Sequence, residues 1–166
     1  DSLAYLRDVR EFKNCLLVEQ PNSDWGQTVL RQFFFSAYQF LLFERLQQSA
    51  DSSLAAVAEK SLKEVTYHLR WSSEWIIRLG DGTEESHQRM QQAIDTLEMF
   101  TGELFEPADY EAACQQHNIG VDLTEIRPLW YAKVNEVLAE ATLPVLEEGK
   151  TWMQQGGKQG IHTEQL

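Results

Sequence analysis

Cysteine is scarce in this chain. There are two among 166 residues, Cys15 and Cys114, and neither sits in a ligand-spaced motif. A disulfide framework and a cysteine-based zinc site are therefore not indicated, and both residues are expected as buried thiols of a cytoplasmic protein. Positive charge is scarce as well. Fourteen Lys and Arg stand against 26 Asp and Glu, for a net charge of −12, which argues against nucleic acid or an anionic membrane surface as the main partner. The longest apolar run, 33–43, is interrupted by Ser36 and Gln39 and is too short to span a bilayer. No signal-peptide pattern is present. The period-2 alternation of strands is essentially missing, and four histidines with no elbow motif suggest no nucleophile–base–acid arrangement. The chain starts at Asp1 and stops at Leu166 within a polar run, so a longer gene product is expected.

What the sequence does have is helical punctuation. Pro21-Asn22-Ser23 breaks the chain, and Ser23 or Asp24 can cap a helix running to about Gln48. Asp51-Ser52-Ser53 caps the next, which reaches Leu79 and ends at Gly80-Asp81-Gly82. Thr83 opens a helix with capping-box character to about Phe105, and Glu106-Pro107 opens a short one to His117. Asp122 to Thr142 is the last long helix, stopped by Pro144. Residues 2–19 form one further element. The expectation is a single all-α domain over 1–166 with antiparallel neighbouring helices.

The helix over 24–48 carries Phe33, Phe34, Phe35, Tyr38, Phe40 and Phe43 and is apolar nearly all round. Either it is the central helix or its outer side is covered by another protein chain. Phe33, Tyr38 and Phe40, with Trp71 and Trp75 from the next helix, are the interface candidates.

A bundle that holds two metals uses Glu-x-x-His, one turn apart and pointing inward, on mid-helix positions. Here His68 is preceded three residues earlier by Val65, not by a carboxylate, and Glu64 lies four back. The stripe Leu54, Ala58, Ser61, Val65, His68, Ser72, Ile76, Leu79 places His68 in a buried polar centre, hydrogen-bonded to Glu64. On the preceding helix the equivalent pair is Ser36 and Gln39, neutral groups that do not balance a divalent cation. The literal Glu84-x-x-His87 lies in a first helical turn, where acids serve the macrodipole. Asp95 and Glu98 read as a solvated face. The glycine-rich tail 155–160 lacks phosphate-loop spacing and reads as a flexible linker, and His162-Thr163-Glu164 after it has no assignment.

The stretches LLVEQPN, AEKSLKEVTYHLRWSSEW, MQQAIDTLEMFTGELF and GGKQGIHTEQL resemble the PaaC-type phenylacetic acid catabolic proteins, and the resemblance covers the whole chain. It implies a ferritin-like fold with a further helical segment on either side of this one. It implies a non-catalytic subunit of the multicomponent ring-1,2-phenylacetyl-CoA epoxidase, free of metal and of other cofactors itself. Its partners would be a homologous catalytic subunit that carries the di-iron centre, a small bridging subunit, and a reductase with flavin and an iron–sulfur cluster. The resemblance also implies a wall of the channel for phenylacetyl-CoA as an expected further role. Ser36, Gln39, Glu64 and His68 would be vestiges of a lost metal site. At Ser36 and Gln39 this chain departs from members that keep a degenerate acid and a histidine. Two other classes stay open on the residues alone. An active di-iron oxygenase needs at least four carboxylates and two histidines converging, and a standalone acyl-CoA-binding module needs a basic pocket.

Overall fold

The computed structural model describes residues 5–149 and 152–166. Over these the chain forms the expected all-α, ferritin-like helical bundle, with no strand among the described residues. In chain order the helices are α1 (Leu16–Glu19), α2 (Trp25–Leu46), α3 (Ser52–Gly80), α4 (Glu84–Leu97), α5 (Asp109–Gln116) and α6 (Leu123–Glu140). Each long helix starts where a short polar side chain can take up an orphan backbone N–H. Asp24 accepts from Gln27 N, Asp51 from Ser53 N and Leu54 N, Thr83 from Ser86 N and Asp122 from Thr124 N. The far end of α3 is closed by other elements. His87 Nδ1–H donates to Gly80 O at 2.7 Å and Ser86 Oγ–H donates to Leu79 O at 2.7 Å. Gly80 is needed there, because a Cβ would lie 2.4 Å from Ala141 O at the end of α6.

Helix α2 is the centre of the bundle. It packs most extensively on α3 and also touches α1, α4 and α6. That position explains its near-continuous apolar surface: several faces are covered by the chain itself. Val29, Leu30, Phe33, Phe34 and Ala37 are fully buried. An aromatic chain crosses the core from Phe33 to Phe34 to Trp130 to Phe105 to Tyr38, with ring centroids 5.4–6.0 Å apart. Trp130 Nε1–H donates to Phe34 O at 2.9 Å, so the one polar atom of this buried indole is satisfied.

Three expectations about elements are corrected. The helix from Thr83 does not reach Phe105: α4 ends at Leu97 and gives way to 3-10 turns at Glu98–Phe100 and Gly102–Phe105. The reason is the segment over 152–160, which crosses here. Gln154 N donates to Met99 O at 2.8 Å, Lys158 Nζ donates to Leu104 O and Glu106 O, and a Cβ on Gly102 would lie 2.7 Å from Met153 Cγ. Carbonyls that a longer helix would use internally are committed to the tail. The element expected over 2–19 is, from Tyr5 onward, one 3-10 turn (Val9–Glu11) and the single turn of α1, with residues 1–4 outside the described part. Of the two thiols, Cys15 is buried but Cys114 is partly exposed; both are free.

Candidate functional site

The four positions expected as vestiges of a metal site do not converge on one buried centre. Ser36 is fully buried on α2 and accepts a hydrogen bond from Gln32 Nε2 at 2.8 Å, while Gln39, three residues on, is half-buried. On α3, His68 and Glu64 are not in a buried polar centre. Their side chains are 40% and 76% exposed and the nearest N–O approach is 3.9 Å. Helical geometry gives the reason. The buried line of α3 runs through Ala58, Val65, Ser72 and Ile76. At about 100° per residue, His68 falls about 60° off Val65 and Glu64 about 100° off, at and beyond the edge of that line. An exposed pair at this separation contributes little to stability. Glu84 is exposed, and His87 is used in closing α3 as described above. Among the described residues no group of three or more His, Cys, Asp or Glu is placed to hold a metal ion.

The interface candidates divide. Phe33 and Tyr38 are core residues, 0% and 7% exposed, and so cannot meet a partner as the structure stands. α2 being central, their faces are already covered, and burial pushes the Tyr38 hydroxyl pKa far up, with Glu111 and Cys15 adding. Phe40, Trp71 and Trp75 are partly buried. Lys133 Nζ stands over the Phe40 ring at 5.1 Å. Trp71 and Trp75 form an edge-to-face cluster with Trp25, whose ring centroid lies 5.9 and 5.5 Å from theirs. Trp25 is 48% exposed and borders an open hollow of about 280 Å³ that reaches Met90 and Arg89. Its membership was legible in principle: it begins a helix whose partner helix carries Trp71 and Trp75.

The true buried polar centre is at the other end, where the tail docks, so the flexible-linker expectation for 155–160 is also corrected. Gly156, Gly157 and Lys158 are buried. Glu103, 2% exposed, accepts from Gly156 N at 2.8 Å and Lys158 N at 3.3 Å with Oε1, and from Leu16 N at 2.8 Å with Oε2. Lys158, 6% exposed, pairs with Glu111 at 3.0 Å. Glycine is required at the approach: a Cβ on Gly157 would lie 2.3 Å from Asn14 O, and Gly156 has φ +139°. Cys15, beside this cluster, has its thiol pKa pushed up to about 11 by burial, with Glu103 adding, which keeps it an unreactive thiol.

A second pair lies next to it. Glu19 accepts from Thr163 N (2.7 Å), Thr163 Oγ1 (2.8 Å), His162 Nδ1 (2.9 Å) and Asn14 Nδ2 (3.1 Å). Burial alone would raise the Glu19 carboxyl pKa. The hydrogen bonds from Thr163, His162 and Asn14 outweigh it, and the net direction is down. Protonating this carboxylate therefore removes stability as pH falls through the lowered native value.

Comparison with known proteins places this arrangement in context. The family model described as phenylacetic acid catabolic protein matches residues 1–166. A component of the 1,2-phenylacetyl-CoA epoxidase of Escherichia coli (strain K12) is 47% identical over 166 residues, which is 100% of this chain and 66% of that relative. The chain thus spans just under two thirds of the length of the curated relative it matches.

Proposed function

Since the chain belongs to the phenylacetic acid catabolic protein family, we propose that it is part of a structural, non-catalytic subunit of a phenylacetyl-CoA epoxidase, which supports and positions a homologous di-iron catalytic subunit. The observation that carries this reading is the chemistry of the buried positions on α2 and α3. Ser36 on α2 and Val65 and Ser72 on α3 are buried, Glu64 faces solvent, and none of the buried three can neutralise a divalent cation. These residues do not fit a di-iron centre, so we derive no oxygen chemistry through this chain. The bridging subunit and the reductase belong to the same reading, as does a cytoplasmic location. No helix among the described residues is long and apolar enough to cross a membrane.

The face we assign to the catalytic partner is the one bearing Trp25, Trp71 and Trp75, with Phe40 as a further candidate on α2. Tryptophans in a half-buried cluster bring large area at low side-chain entropy cost, as interface anchors do. Replacing Trp75 by Asp is expected to weaken co-purification with the catalytic partner at least tenfold while the helical circular dichroism is retained. Capture of the partner at wild-type affinity by a folded Trp75→Asp variant would remove this face from the assembly.

A further inference from the structure

The His162 side chain is 4% exposed and that of Glu19 is 2% exposed. The ring meets an acceptor at each nitrogen: Nδ1 faces the Glu19 carboxylate at 2.9 Å and Nε2 faces Phe12 O at 3.0 Å. Neither acceptor can donate, because Glu19 is an ionised carboxylate and a carbonyl has no hydrogen. Both contacts are hydrogen bonds only when both ring nitrogens carry hydrogen. A neutral ring, in either tautomer, leaves a lone pair against an oxygen around a side chain only 4% exposed, where an unmet polar contact is costly. These contacts join parts of the chain 143–150 residues apart: Phe12 and Glu19 near one end, His162 and Thr163 near the other.

We propose that His162 is a proton-dependent latch, which holds the segment over 156–166 against the segment over 12–19 while its ring carries both protons and releases it when one is lost. The charged groups around it bear on the sign. Glu19 on α1 faces the ring at 2.9 Å. Arg10 borders an open hollow of about 590 Å³ that His162 also lines, and Lys13 Nζ stands by Gly160. Arg31 on α2 is bonded to Gln20 O and Asn22 Oδ1, and Glu103 to backbone N–H groups, so neither is directed at His162. The latch is therefore closed at lower pH and opens as pH rises.

The test is nuclear magnetic resonance on the purified protein from pH 5.5 to 9. The ring ¹⁵N shifts of His162 should report both nitrogens protonated at the acid end. The Thr163 amide, corrected for intrinsic exchange, should lose at least tenfold protection at the alkaline end, while amides in the middle of α2 do not change. In a His162→Gln variant the Thr163 protection should be low and independent of pH. A neutral His162 ring with Thr163 still protected at pH 5.5 would overturn the proposal. So would wild-type Thr163 protection that stays constant across the range, a result that needs no variant to fold.

Discussion

Replacing Glu103 by Leu should lower stability by about 3–5 kcal/mol, which for a chain of this length corresponds to a melting temperature lower by roughly 10 °C. The carboxylate is buried and takes the backbone N–H groups of Leu16, Gly156 and Lys158, all three distant from it in sequence. Leucine fills the space but leaves three buried donors unpaired, each costing about 1–3 kcal/mol less whatever relaxation recovers. The buried Lys158 ammonium keeps Glu111, so the expected loss is local to the tail and the segment around α1 before it is global. Thermal denaturation and limited trypsin digestion check this together. The variant should melt early and be cut after Lys158 under native conditions. A melting temperature within about 2 °C of wild type, with the tail still resistant, would show that Glu103 does not fasten it.

Trp130→Ala should cost a similar amount, about 3–5 kcal/mol, for a different reason. The indole is 0% exposed and touches the rings of Phe34, Phe105 and Tyr131, so its removal opens a cavity where α6, α2 and the turn after α4 meet. Trp130→Phe should cost about half as much, since most of the volume stays and the Phe34 carbonyl is already engaged within α2. Denaturant titration separates the cases. The midpoint should fall in the order Ala below Phe below wild type with an unchanged slope. A Trp130→Ala loss under 1 kcal/mol would mean that the aromatic chain is not the centre of the core.

The two expectations trace back to different kinds of information in the sequence. The long helices were legible because their signals are local: Asp24, Asp51, Thr83 and Asp122 all cap as their spacing suggests, and Gly80 closes α3. The aromatic richness of α2 left two readings, and only the placement of α1, α3, α4 and α6 around it resolves most of that richness into core. The buried polar centre was misplaced for a related reason. A stripe drawn through His68 at spacings of three and four lies within the tolerance of a helical pattern, yet a step of about 60° is enough to carry a side chain from core to rim. The tail was least legible. Its glycines look like a linker by composition, and what fixes them is a set of partners, Glu19, Glu103 and Glu111, that no local pattern connects to them.

In the proposed function this bundle supports metal chemistry without holding the metal. Its most direct test is elemental analysis after anaerobic loading with Fe(II) and desalting. Neutral side chains at Ser36 and Val65, and Glu64 turned to solvent, predict well under one iron per chain. Two tightly retained irons per chain would contradict the account.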